Sequence, residues 1–292
     1  MTANSDVLDW WNGLFGKNDL FNPDDYFIVC ANILGSCYGT TGPRSLDKEK
    51  GIPYGLDFPK ITIRDIVQCH DLLRQHLDIN SIQVGIGGSC GGHQVLEMAC
   101  MFPELIQSMI LMVNSAKETP WAIAAHEAQR MTVESDDTWK TNEDKAAAKS
   151  LKAARAMALL HYRTFDSYKT GQHDEDDKVD DFKASSYVQY QGLKLIKRFY
   201  AHNYWYLLKA LDTHNVGRGR GGAKQALSQI KVPTLVVSMD SDLLIPPSEQ
   251  AFLAEHIPNS KHEIIPSKFG HDGFLVETEK LSEVIDQWLK RK

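Results

Sequence analysis

The sequence predicts an α/β fold, a mainly parallel sheet with helices on both faces, and three observations carry that expectation. Strand-like runs alternate with helix-like runs along most of the chain. One run, "SMILMVNSA" (108–116), is almost continuously apolar, as a parallel strand covered on both faces requires. A glycine-rich turn, "GIGGSCGG" (85–92), joins a strand-like run directly to a helix-like one.

Taken in order, "YFIVCANIL" (26–34) reads as a short strand ended by Gly35. "TIRDIVQCHDLLRQHL" (62–77) reads as a helix, with Ile63, Ile66, Val67, His70, Leu73 and Leu77 on one face. "SIQVGIG" (81–87) is the next strand, and "GHQVLEMACMF" (92–102) the next helix, halted by Pro103. After the apolar strand at 108–116, residues 118–230 break the alternation with a helix-rich block. The pattern then resumes with "TLVVSMD" (234–240), a helix over 248–256, "KHEIIPS" (261–267) and a terminal helix over 280–290. The expected organisation is one core domain from 1–117 and 231–292, with 118–230 inserted as a helical layer over the sheet. Within the insertion the acidic run "HDEDDKVDD" (173–181) reads as a solvated loop, and "GRGRGG" (217–222) as a structural turn rather than an RNA-binding element.

Bulk properties exclude several classes. The chain has 292 residues, long enough for a large core, and a net charge of -6 gives no electrostatic case for binding nucleic acid or anionic membranes. No apolar run approaches the ~20 residues that span a bilayer, and the start "MTANSDVLDWW" has no secretory-signal pattern. The five cysteines, Cys30, Cys37, Cys69, Cys90 and Cys100, show no paired CxxC spacing, so they read as reduced thiols in a cytoplasmic protein and not as a metal site.

The glycine-rich turn has a specific chemical reading. Strand, Gly87-Gly88-Ser89-Cys90-Gly91, helix is the G-x-S-x-G arrangement that presents a serine at the tip of a strained turn. Small neighbours let strand and helix approach, and the helix N-terminus directs free amides toward an oxyanion. Cys90 is a rival nucleophile, although its place after the apex makes its amide more relevant than its thiol. A serine needs a base, and the base an orienting acid. Asp240 and Asp242 follow the strand at 234–240, and His271 follows the strand at 261–267, so acid and base arrive in order just beyond strand ends. Asp242 is the preferred acid, because Asp240 lies closer to the strand and suits a turn-shaping role. The expected triad is Ser89, His271 and Asp242.

Several longer stretches, namely "NILGSCYGTTGP" (32–43), "FPKITIRDIV" (58–67), "GGSCGG" (87–92), "ALDTHNVGRGRGG" (210–222), "SDLLIPP" (241–247) and "GHDGFLVE" (270–277), closely resemble the homoserine O-acetyltransferases. The resemblance runs over essentially the whole chain and implies an α/β-hydrolase fold with the helical block as its lid. It implies a ping-pong acyl transfer in methionine biosynthesis, from acetyl-CoA to L-homoserine, with no metal or resident cofactor and a homodimer joined through the lid helices. Cys90 stands where many members carry methionine and would supply one oxyanion amide. Arg155, in "LKAARAMALLHYRT" (151–164), matches the arginine that clamps the substrate carboxylate, with Tyr162 on the same segment; Arg163 is a rival for that clamp. Asp272 matches the residue that binds the substrate amine, its alternative being a turn aspartate. The sequence starts where a family segment reading H-A-L-T would end, with Met1 in the leucine position of the second oxyanion amide and Thr2 in that of a substrate-site threonine. A family strand expected between 26–34 and 81–87 has no counterpart in it. That implies unpaired sheet edges or a rearranged sheet, and a truncated form. Succinyl transfer, a serine acceptor, an ester hydrolase using the same triad, and an inactive truncated form stand as the alternatives.

Overall fold

The computed structural model describes residues 11–291. Four parallel strands form the sheet in the order β1 (Gly85–Gly88), β2 (Met109–Met112), β3 (Thr234–Met239), β4 (Ser260–Ile265). Gly85 pairs with Met109, Met109 with Thr234, and Thr234 with Ser260, so the strands start level and end at one rim. The two central strands are buried along their whole length. Because successive side chains alternate faces, Met109, Leu111 and Val236 meet Leu96, Leu227 and Leu253 on one side of the sheet. Ile110, Met112, Leu235 and Val237 meet Leu281, Ile285 and Trp288 on the other.

Local chemistry sets the helix limits. Helix α1 (Ile63–His76) starts with a capping box: Asp65 N–H donates to the Thr62 hydroxyl while the Asp65 carboxylate accepts from Thr62 N–H. Ile63, Ile66 and Val67 are buried as the spacing predicts, but His70 and Leu73 are half-buried and Leu77 is exposed. Asp71 is buried instead, its carboxylate bonded by Arg74 and Gln75. Helix α2 (Cys90–Met101) stops at Phe102, whose backbone takes an extended φ of -131° before Pro103, as the proline ring demands.

The structure corrects three boundaries. Residues 26–34 form no strand. Tyr26 and Ile28 lean on the apolar face below while Phe27 and Val29 face outward, so the alternation of an extended chain survives without a ladder partner among the described residues. The expected strand at 81–87 is ladder-paired only at 85–88, and its outer edge has no partner strand among the described residues. The strand at 108–116 ends at Met112 because Val113 turns to a φ of +45°.

Between β2 and β3 lie α3 (Pro120–Glu134), α4 (Ala148–Tyr162), α5 (Phe165–Gly171), α6 (Lys183–Ile196), α7 (Ala201–Asp212) and α8 (Ala223–Ser228). Val133, Leu151, Ala154, Leu195 and Leu207 give this layer its own apolar centre. The last part of the block expected as the insertion, up to 230, packs differently from the rest. Val216, Ala226, Leu227 and Ile230 pack into the core under the sheet, so α8 belongs to the α/β body. "GRGRGG" is a turn, with Gly219, Gly221 and Gly222 at positive φ and Arg220 bonded to the buried Glu97 carboxylate, which also holds Arg64. The run 173–181 is an exposed loop apart from a few half-buried residues. Helices α9 (Pro247–His256) and α10 (Thr278–Leu289) complete the body. Among the described residues no helix is long and apolar enough to cross a membrane.

Candidate active site

Ser89 sits between β1 and α2 at φ 51°, ψ -122°, a strained conformation for a residue with a side chain. The surroundings fix it. Ser89 N–H donates to Met112 O (2.9 Å), and Ser89 O accepts from His93 N–H (3.0 Å). A Cβ at Gly87 would lie 2.4 Å from the Gly91 carbonyl carbon, and one at Gly88 would lie 2.4 Å from the Phe274 ring. Backbone hems in Gly87, which therefore requires glycine, whereas a side chain at Gly88 would have to displace the Phe274 ring. Position 91 does not require glycine, since the missing Cβ of Gly91 would meet nothing within 4 Å; Gly92, close against Asn114, is the tighter of the two. The expectation of crowding on both sides of the serine is corrected accordingly.

The three expected partners converge at the strand ends. His271 Nε2 lies 2.8 Å from Ser89 Oγ, and His271 Nδ1 lies 2.7 Å from Asp242 Oδ2. A carboxylate only accepts, so Nδ1 carries the proton and Nε2 accepts from the serine hydroxyl. Asp242 Oδ1 accepts from the Leu244 and Ile245 amides at 2.9 and 3.0 Å, which holds the carboxylate rigid. Asp240 is elsewhere: exposed, its Oδ1 accepting from Ser267 N–H at 2.9 Å. It ties the turn after β3 to the one after β4, a contact reinforced by the Ser241 hydroxyl on Ser267 O.

His271 is 3% exposed, between the rings of Tyr162 and Phe274, each 5.8 Å away by centroid. Burial alone would push its pKa down. Asp242, by charge and hydrogen bond, with smaller contributions from the charges of Asp272 and Glu118, outweighs burial and holds it above 6.5. The Cys90 thiol is pushed up to about 11 by burial, against the opposing bond from Gln94. A raised thiol pKa makes Cys90 a weaker nucleophile than an ordinary cysteine. The Cys90 amide, first in α2, has no intrahelical acceptor and stands beside the serine. Met1 and Thr2, the other expected oxyanion and substrate residues, lie outside the described residues.

The end of α4 brings further side chains to this rim. Arg155 Cζ lies 5.5 Å from the Tyr162 ring centroid, and its guanidinium has no carboxylate partner among the described residues. Tyr162 packs on Ala122, Leu244 and Ile245, and burial raises its hydroxyl pKa while Arg155 opposes the shift. Asp272 Oδ2 accepts from Arg163 Nε at 2.7 Å. Arg163 therefore points to Asp272, whereas Arg155 has no such partner among the described residues. Burial raises the pKa of Glu118, 3% exposed, against His126 and the bond from Thr119 N–H. Sequence reasoning assigned no role to Glu118, Phe274 or Thr164. Of these only Phe274 had a signal, its place in "GHDGF" three residues after the histidine. No group of three or more His, Cys, Asp or Glu among the described residues is placed to hold a metal ion.

The arrangement can activate a hydroxyl, hold an acyl group on it and stabilise an oxyanion. Comparison with known proteins gives the fold and the family. The family profile of the α/β hydrolase fold matches residues 1–278. A homoserine O-acetyltransferase from Cyclobacterium marinum is 45% identical over 285 residues, covering 98% of this chain and 81% of the relative. The solved homoserine O-acetyltransferase from Bacillus anthracis superposes with a TM-score of 0.90 at 21% identity, over 100% of this chain and 83% of that one. Esterase E22 superposes with a TM-score of 0.88 at 23% identity, over 98% and 85%. At such identities the two solved structures speak for the fold alone.

Proposed function

Because this chain belongs to the homoserine O-acetyltransferase family, we propose that it moves an acetyl group from acetyl-CoA to the side-chain hydroxyl of L-homoserine through an acetyl-Ser89 intermediate. The observation that carries the mechanism is the 2.8 Å contact between Ser89 Oγ and a histidine nitrogen free to accept its proton. As Oγ attacks the thioester carbon, its proton passes to His271 Nε2. The Cys90 amide, with the α2 N-terminus behind it, bears the oxyanion. The carbon–sulfur bond breaks, and His271 returns the proton to the departing coenzyme A thiolate. Homoserine then binds, His271 takes its hydroxyl proton, and the alkoxide attacks the acetyl ester. Collapse expels Ser89 Oγ, which recovers the proton from the imidazole. Every step runs on side chains and backbone amides; coenzyme A enters and leaves as part of the donor.

Water competes with homoserine for the acetyl-enzyme, so the acceptor hydroxyl must be held at high effective concentration. In this reading Arg155 takes the acceptor carboxylate, with Tyr162 flanking it, and Asp272 takes the ammonium. The lack of a carboxylate partner for Arg155 supports that assignment. Helices α3–α7 serve as the lid, and a second copy of the chain docks on it; Leu160, Phe165, Tyr190 and Leu193, exposed on α4–α6, support such a contact. A cytoplasmic setting fits cysteines left as free thiols.

Intact-mass analysis tests the reading. Acetyl-CoA should add one acetyl group to the chain, succinyl-CoA should add none, and homoserine should discharge the adduct faster than serine or water. An adduct that water and homoserine discharge equally would convert the assignment to an ester hydrolase.

A further inference from the structure

The seam between the lid and the histidine loop is built from three consecutive residues. Helix α4 ends at Tyr162, Arg163 turns extended (φ -113°, ψ 154°), and Thr164 caps α5 by accepting from Ser167 N–H. Each of the three touches the loop that carries His271. The Tyr162 carbonyl would lie 3.0 Å from a Cβ at Gly270, where φ is +64°, so loop backbone presses against the helix end. The Thr164 hydroxyl donates to Lys268 O. Arg163 Nε donates to Asp272 Oδ2 at 2.7 Å.

The form of the last contact is informative. A guanidinium that only anchors a carboxylate commonly uses its fork, two parallel bonds to both oxygens. Here one nitrogen meets one oxygen, and neither Asp272 Oδ1 nor the outer Arg163 nitrogens have a partner among the described residues. Both side chains are partly buried, at 27% and 17% exposure, so the pair is screened less than a surface pair. Asp272 is thus held in one orientation with an oxygen to spare, beside the catalytic imidazole.

We infer that Arg163 is a positioning residue for the amino-acid acceptor: it fixes Asp272 from the lid side so that Oδ1 receives the acceptor ammonium while His271 receives the hydroxyl proton. This rests on the acyl-transfer reading above and adds a residue to it. The Arg163–Asp272 bond makes the ammonium subsite a joint product of lid and loop, so the subsite exists only while α4 is seated. Arg163 itself contacts neither the donor nor the acceptor.

The test loads wild type, Arg163→Gln and Arg163→Met with acetyl-CoA and follows discharge of the acetyl-enzyme, normalised to the amount formed so that only folded, acylated enzyme counts. Discharge is measured with homoserine, with 4-hydroxybutanoate (the same acceptor without its ammonium) and with water. The expected loss with homoserine is about tenfold greater than with either ammonium-free acceptor, matching one charge-assisted hydrogen bond made loose. A ratio below threefold in both variants overturns the inference and leaves Arg163 as a lid anchor. Wild type that takes no acetyl group, or whose adduct homoserine does not discharge, instead refutes the underlying reading, and this inference with it.

Discussion

Replacing Asp242 by Asn keeps the shape of the acid and reverses what it tells the histidine. In the native site Asp242 accepts three hydrogen bonds, two from the fixed Leu244 and Ile245 amides and one from His271 Nδ1. In Asn the two backbone donors select the carbonyl oxygen, which turns the NH2 group toward His271. Two donors then face each other across 2.7 Å, and the imidazole relieves the conflict by moving its proton to Nε2. Nε2 is the atom 2.8 Å from Ser89 Oγ, so the serine loses its base while the geometry is unchanged. The expected loss in the acetylation half-reaction is on the order of 10⁴-fold, about 5.4 kcal/mol of barrier. The pH profile should move too. The native imidazole is held above pKa 6.5 by Asp242, so wild-type acetylation rises with pH around a midpoint above 6.5 as the base form appears. Without that charge burial dominates, and the residual activity of the variant should titrate below 6.5. Rapid-quench intact mass with acetyl-CoA between pH 5 and 9 reads both effects. A loss under tenfold, or a midpoint that stays in place, would refute the reasoning.

Four other outcomes follow. Arg155→Ala should raise KM for homoserine about 10–100-fold, the worth of a charge-assisted contact, while acetylation by acetyl-CoA proceeds at the wild-type rate; this is read by separating the half-reactions. Gly87→Ala should destabilise the fold by about 1–3 kcal/mol in urea unfolding, since its Cβ would lie 2.4 Å from backbone that has no room to move; Gly91→Ala, with open space at that position, should not be destabilising. Burial depresses the pKa of His214 to about 4, against its bond to the Ser115 carbonyl, and that of His93, stacked 3.9 Å away, is well below 6.5. Both histidines fold neutral, so the stability they confer is complete above pH 6.5 and lost as pH falls toward 4. Unfolding free energy should drop by about 2 kcal/mol for His214 alone between pH 6.5 and 5, and a flat profile would contradict the assignment. Cys90→Ala should keep acetylation within a few-fold of wild type, because the proposed role rests on the backbone amide, which the substitution leaves in place.

The parts of the site fixed by short-range rules were legible before any coordinates. Ser89 announces itself through the glycines around it, and Asp242 and His271 by falling just past strand ends in the required order. Pairing was less legible. "YFIVCANIL" has every local mark of a strand, yet a strand is a relation between two segments, and nothing in 26–34 specifies its partner. Which core a helix joins is hard to read for a related reason. The apolar positions of 223–230 declare a buried helix face, but not which core buries it, and Leu227 meets Met109 and Val236 under the sheet. The Arg163–Asp272 bond spans 109 residues of sequence, and no spacing rule reaches that far. Distance from the strand end is a weak guide between Asp240 and Asp242; their partners separate them more firmly, since Asp240 accepts from Ser267 N–H while Asp242 meets His271.

Peptide mapping of enzyme quenched after acetyl-CoA and before any acceptor tests the central claim most directly. The account expects the acetyl group on Ser89, and no adduct at all in Ser89→Ala. An acetyl group mapped to Cys90 or to any other residue, or one that persists in Ser89→Ala, would contradict it.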